Sequence, residues 1–410
     1  MKMHRCAALV AIAALSFAGC MSSGGSSAVP PGLQGDDVSP LFTGYKQLYA
    51  FSGKPSGWEP TGLTAAGKAL YGTTLTGGSK NFGTVFARYH SGQVRILYSF
   101  RGGKDGAQPQ GKLLLVGGTF YGTTEYGGRY GNGTVFAVTP LGKERVVYAF
   151  KGGKDGATPV LVGMVASKAT LYGTTSAGGD THCHVQNSAG CGTVFAVTTS
   201  GKEGIVHRFK GKSDGALPSG DLIWNANTLY GTTNFGGTTN SGTVFALSTN
   251  GRERVVYAFK GYPDGAVPLA GITALGGDFY GTTGFGGAFN YSGTVFKLTA
   301  SGKEAVLYSF RGFPDGAVPY AKLVPSNGLL YGTTAYGGNA TQPCIGGGVP
   351  GCGTVFSIDT SGTERILYRF GGKRDGANPW TGLVDSGGTF YATTVLGGPA
   401  NAGTIFGFAP

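Results

Sequence analysis

A chain of 410 residues is ample for a large core, and 79 glycines, 12% aromatic and only 13% charged residues exclude a disordered or charge-rich polymer. The formal net charge of +12 favours anionic surfaces or polymers without choosing among them. Frequent glycine beside many aromatic and β-branched residues predicts short strands joined by tight turns, and no stretch has helical periodicity.

Residues 1–20 read as a bacterial export signal of the lipoprotein type. Lys2 and Arg5 make a basic start, and Cys6 to Ala18 is an apolar run of 13 residues, too short for a permanent membrane helix. Ala18-Gly19-Cys20 resembles a lipobox, so Cys20 is the expected lipidated residue. Phe17 stands where leucine is usual, and an ordinary secretory signal cut nearby is the alternative. Residues 21–43, rich in Ser, Gly and Pro, read as a flexible tether. The expected location is outside the cytoplasm, on the bacterial envelope (outer membrane or cell surface) through a lipid, or else secreted.

A single strand-like stretch follows, "GYKQLYAFSG", from Gly44 to Gly53. The rest is repetitive. Tyr-Gly-Thr-Thr begins at Tyr71, Tyr121, Tyr172, Tyr230, Tyr280 and Tyr331, and Tyr-Ala-Thr-Thr at Tyr391, with spacings of 50, 51, 58, 50, 51 and 60. The unit from Pro268 to Asp315 holds four strand-like stretches: "PLAGITAL", "GDFYGTTGFGG", "GTVFKLTA" and "KEAVLYSF". Units of this size with four strands match propeller blades. The last unit ends on "AGTIFGFAP" and lacks the fourth stretch, and "GYKQLYAFSG" aligns with what is missing. Complementary ends predict a closed ring rather than a capped stack. The expected fold is all-β: a seven-bladed propeller of four-stranded blades over residues 44–410, closed by the N-terminal strand completing the C-terminal blade.

With Leu-Tyr-Gly-Thr-Thr, Gly-Gly and Gly-Thr-Val-Phe in nearly every unit, the chain resembles the bacterial exported tandem-repeat proteins called "GloVer" or choice-of-anchor repeats. The resemblance covers all seven units. It implies export, variable anchoring and a propeller-like fold, and it implies no settled activity. Ala392, His207 and Ser56 depart from the repeat, standing for Gly, Tyr and Asp.

Residues present in every unit are best explained by what every unit needs. Phe86, Phe136, Phe195, Phe245, Phe296, Phe356 and Phe406 are expected as core between blades. Gly72 and its equivalents are expected to serve close packing. The Asp-Gly-Ala-X-Pro aspartates Asp105, Asp155, Asp214, Asp264, Asp315 and Asp375 are expected to cap turn amides. A calcium ring is the sharper reading, but that ion wants about six to eight oxygens in one cluster. Glu144, Glu203, Glu253, Glu304 and Glu364, mostly beside Lys or Arg, are expected to be solvated.

The cysteines beyond the signal fall in the two long units as Cys183 with Cys191 and Cys344 with Cys352. Their shared spacing predicts two disulfides. His182 and His184 beside Cys183 raise a zinc reading, but the companion insertion has no histidine and adjacent ligands strain a tetrahedral site. No metal and no cofactor are expected.

In propellers the second-to-third and fourth-to-first connections share one face, which would gather the insertions and the aspartate turns with several Lys and Arg. The residue after the turn proline varies most: Thr61, Gln110, Val160, Ser219, Leu269, Tyr320 and Trp380. The expected ligand site is the channel mouth, with Tyr320 and Trp380 for stacking and Gln110 beside them. Asp221 falls on an inner strand, with Lys112 and Lys322 at the matching place in other blades. Tyr126, Tyr130, Phe235, Phe285, Phe289, Tyr291 and Tyr336 could extend this surface. No nucleophile elbow, phosphate loop or cofactor fingerprint is present. The first expectation is a non-enzymatic binding or scaffold propeller for an envelope polysaccharide or a protein partner. It would be a monomer, touching the membrane only through its lipid and binding no nucleic acid. The alternative is an exported carbohydrate-active hydrolase or lyase with Asp221 as its one catalytic candidate.

Overall fold

A computed structural model describes residues 44–410, apart from 161–162, 187, 290–291, 340–343 and 345–349. The export signal, Cys20, the tether and Tyr291 lie outside the described residues. Among the described residues there are seven four-stranded antiparallel sheets, arranged as a seven-bladed propeller. The second blade is representative, with strands Ala107–Val116, Thr119–Tyr126, Thr134–Val138 and Glu144–Ala149 in that order from the channel outward. The seventh blade is built from both ends of the chain. Its inner strands are Val384–Ser386, Thr389–Thr394 and Thr404–Phe408, and its outermost is Lys46–Ala50. Lys46 lies opposite Gly407 and Ala50 opposite Thr404.

The repeated motifs each close one contact. The phenylalanine of Gly-Thr-Val-Phe meets the phenylalanine that ends the preceding blade's outer strand, edge to face. Phe100–Phe136, Phe150–Phe195, Phe209–Phe245, Phe259–Phe296, Phe310–Phe356 and Phe370–Phe406 have centroids 5.0–5.2 Å apart. Phe51–Phe86, at 5.2 Å, makes the same contact where the ring closes. Such pairs add about 0.5–1.5 kcal/mol beyond the area they bury.

The two hydroxyls that follow the motif tyrosine have separate partners. The second threonine pairs with the threonine of Gly-Thr-Val-Phe across the strands, as in Thr124–Thr134 and Thr233–Thr243, both at 2.8 Å and both buried. The first reaches the next blade, as Thr232 Oγ1 does to the Ala270 carbonyl at 2.9 Å and Thr333 to that of Pro379 at 3.0 Å. This second contact is not universal: the Thr123 and Thr174 hydroxyls are buried without a partner, which carries a desolvation cost.

The motif glycine serves close packing, as expected. It does not adopt positive φ, and a Cβ on Gly231 would stand 2.6 Å from Phe245 Cζ and 2.8 Å from Leu222 Cδ2. Gly231→Ala should therefore cost about 1–3 kcal/mol by overpacking, read as a lowered urea midpoint at unchanged slope. A wild-type midpoint would remove the packing account.

Candidate functional site

One end of the propeller carries loops that interlock around the ring. In the second to sixth blades the second-to-third loop bonds back to the turn entering its own blade: Gly128 N–H to Gly103 O at 2.9 Å, Gly287 N–H to Asp264 O at 2.6 Å. Each entering turn also bonds to the loop of the preceding blade: Gln108 N–H to Phe82 O at 2.9 Å, Val267 N–H to Ser241 O at 2.8 Å. The residue making that second bond takes left-handed φ even where it is β-branched, as at Val267 (φ 53) and Val318 (φ 54). This is a strained choice for valine, held by neighbours on both sides.

Both predicted disulfides are present. Cys183–Cys191 and Cys344–Cys352 have Cα atoms 5.6 and 5.1 Å apart, within the usual range. Each lies over the aspartate turn that leaves its blade: a Cβ on Gly211 would stand 2.7 Å from Cys183 Sγ, and one on Gly372 2.9 Å from Cys344 Sγ. In the first insertion His184–Val185 pairs with Ser188–Ala189 as a short hairpin. His182 and His184 are exposed on it, and both cysteine sulfurs are committed.

The turn aspartates cap amides as expected. Asp155 accepts from Lys151 N–H at 2.7 Å, and Asp264 from Lys260 N–H at 2.9 Å. They also accept from the outer-strand tyrosine seven residues earlier: Tyr98, Tyr148, Tyr257, Tyr308 and Tyr368, at 2.8–2.9 Å.

The glutamates differ from the sequence expectation. Glu144, Glu203, Glu253, Glu304 and Glu364 are not solvated charges. Each is half-buried, and its Oε1 is enclosed with no hydrogen-bond partner. The reason is the ring: each of these outer strands starts beside the aspartate of the preceding blade and its tyrosine, or His207 in the case of Glu253. Burial, then the facing aspartate, pushes Glu203 and Glu304 up to about 7 and Glu364 up to about 8. Burial, the largest cause, raises Glu144 to about 7. One signal for this was in the sequence. Where Ser56 replaces the turn aspartate, the next blade carries Val94 at the glutamate's place.

The channel narrows to a cavity of about 50 Å³, room for a few water molecules. Thr61, Leu269, Tyr320 and Trp380 line it together with Lys112, Asp221 and Lys322. Tyr320 and Trp380 are brought together, stacked with centroids 5.5 Å apart and planes 28° apart. Both are half-buried against a core cluster that includes Val318, Ala335 and Tyr336. Lys112 Nζ donates to the Leu383 carbonyl at 3.3 Å. Burial lowers the Lys322 ammonium, Asp221 raises it and Lys112 lowers it further. Asp221 lies against Gly163, where no side chain would fit. Among the described residues no ion pair within 4.0 Å joins Asp221 to either lysine. Gln110 is turned away from the channel, buried and donating to the Glu125 carboxylate.

Of the loop aromatics singled out in the sequence, Tyr126, Tyr130 and Phe289 are exposed, whereas Phe235 and Tyr336 are buried and Phe285 is half-buried. Sequence reasoning missed four exposed rings: Trp58, Phe82, Tyr262 (61% exposed) and Phe313 (52%). Tyr262 and Phe313 stand two residues before the turn aspartate, where Gly103, Gly153, Lys212 and Lys373 stand elsewhere, and that break in the repeat was the available signal. The Arg311 guanidinium sits 5.1 Å above the Phe289 ring, and that of Arg129 5.6 Å above Tyr130.

A family model described as the Gloeobacter/Verrucomicrobia repeat matches residues 37–186 and 183–345. No curated protein matches the sequence. Solved structures of similar shape include the computationally designed protein Ika8, at 12% identity and TM-score 0.48, covering 86% of this chain and 98% of its own. A puromycin hydrolase has 11% identity and TM-score 0.47, covering 84% of this chain and 53% of its own. A gluconolactonase from Xanthomonas campestris has 13% identity and TM-score 0.42, covering 71% and 86%. Likeness at this level carries no argument about activity.

Proposed function

Because the chain belongs to the Gloeobacter/Verrucomicrobia repeat family, whose repeats here build a ring with one elaborated loop face, we propose that it is a non-enzymatic binding propeller for an envelope or extracellular polysaccharide. In this reading it is exported, held by a lipid on Cys20, and binds as a monomer. The observation that carries the proposal is the pairing of exposed rings with arginines on the interlocked loop end, chiefly Phe289 under Arg311 with Phe313 two residues on. Aromatic faces stack on sugar rings, and neighbouring cations suit acidic sugars. Tyr320 and Trp380 would form the floor of that surface at the channel mouth. Lys112, Lys322 and Asp221 below them would set its charge.

The catalytic alternative fits less well. Glycosidic hydrolysis uses two carboxylates flanking the bond, and among the described cavity-lining residues Asp221 is the single acid. The cavity, about 50 Å³, is far below the roughly 300–1,000 Å³ of ligand clefts.

The test is a panel of neutral and acidic polysaccharides probed at low and high salt. Binding that survives salt and weakens about tenfold on Phe313→Ala or Trp380→Ala is the expected result. A signal abolished by salt and indifferent to both substitutions would reduce the face to a charge sensor. Silence across the panel would move the reading to a protein partner.

A further inference from the structure

Five junctions between blades place a tyrosine hydroxyl on the turn aspartate. At the junction of the third and fourth blades His207 takes the tyrosine's place. Its Nε2 lies 3.3 Å from the Asp214 carboxylate. Glu253, from the start of the fourth blade's outer strand, faces both, and the three donor atoms lie within 4.8 Å of one another. We propose that His207, Asp214 and Glu253 bind a divalent transition-metal ion of the zinc class, with water completing the site.

The donor set is the first argument. One imidazole nitrogen and two carboxylates suit zinc-like ions, whereas calcium and magnesium favour all-oxygen shells. A neutral imidazole and two carboxylates also match a 2+ charge. The tyrosine junctions offer a phenol instead, which stays protonated and serves as a donor to the aspartate.

Distance is the second. Tetrahedral ligands about 2.1 Å from zinc lie roughly 3.4 Å from one another, and His207 and Asp214 already stand 3.3 Å apart. Glu253 has to move inward by about one ångström on the same estimate. Its Oε1 is enclosed without a hydrogen bond, so the movement breaks none there. The side chains of His207 and Asp214 are 13% and 17% exposed, which leaves an entry path. The Cys183–Cys191 disulfide lies over the same turn at Gly211 and braces it. A metal here would join the outer strand Glu203–Arg208 to the outer strand Glu253–Ala258.

The experiment uses the intact protein, stripped with a chelator and titrated with Zn²⁺ by calorimetry and by thermal melting. Three variants go beside it: His207→Tyr, Glu253→Gln, and His182→Ala with His184→Ala. His207→Tyr restores the residue found at the other junctions and so preserves the fold. The expected result is a binding event in the wild type that raises the melting temperature. It weakens at least tenfold in His207→Tyr and in Glu253→Gln and survives in the His182/His184 variant. Three results would overturn the proposal: no Zn²⁺ binding, binding that His207→Tyr leaves intact, or binding lost with His182 and His184.

Discussion

Thermal stability should fall as pH rises from about 6 to about 8.5, and replacing Glu144, Glu203, Glu304 and Glu364 together by glutamine should flatten that profile. The sign follows from proton counts. These four carboxyls have folded pKa values of about 7 to 8, against an ordinary value of 4.5. Between those limits the folded chain holds protons that the unfolded chain has released, so stability is greatest below the ordinary value and declines through the folded one. The neighbouring cations are Arg101 and Arg145 for Glu144, Lys151 for Glu203, Lys260 for Glu304 and Arg369 for Glu364. Their lowering effect is smaller than the effect of burial on each carboxyl, so they do not reverse the slope. Solvent screens these half-buried groups, and a contribution of about 1 kcal/mol each is a fair scale. The sum is enough to move the melting temperature by several degrees. A wild-type profile flat from pH 6 to 8.5 would mean that water reaches the enclosed oxygens and the carboxyls titrate normally.

Opening the ring should be the most damaging single change. Phe51 is 1% exposed and packs edge to face on Phe86. Phe51→Ala should cost about 3–5 kcal/mol. Deleting residues 44–51 removes the partner of Thr404–Phe408 and leaves an apolar edge strand bare. The deleted form should collect in the insoluble fraction, or as aggregate on gel filtration. Gln47→Ala, on the same strand but exposed, is the control and should behave as wild type. A soluble, monomeric deletion variant with a wild-type melting temperature would show that closure contributes nothing.

The architecture was legible because closure leaves a mark in one dimension. Six copies of Gly-Thr-Val-Phe, a seventh that reads Gly-Thr-Ile-Phe, and two complementary ends define the ring without any knowledge of side-chain contacts. The same holds for Phe136, mid-strand in every copy, and for Gly122, mid-strand in every copy but the last, where Ala392 stands. The roles of Thr232 and Thr233 were not legible, since hydroxyl contacts across strands and blades depend on register, and register is a property of the sheet. Glu144 was misread because a glutamate next to Lys143 and Arg145 in a turn looks solvated. It is enclosed only when the preceding blade is laid beside it. The candidate site suffered from the same limit. Tyr320 and Trp380 were rightly placed beside each other, but their mutual stacking and half-burial come from packing against Ala335 and Tyr336. The more exposed rings, Tyr262 and Phe313, hide inside a repeated turn that composition marks as structural.

The outer strand that closes the ring also sets where the chain enters it. Lys46–Ala50 begins at the end of its blade that carries the third-to-fourth hairpins and runs toward the end that carries the interlocked loops. The chain therefore joins the ring at the hairpin end, at the outer circumference and away from the channel. An anchor attached before residue 44 would pull from there. Phe289, Phe313 and the channel mouth lie at the opposite end of the ring, so whatever is joined ahead of residue 44 arrives on the side away from them.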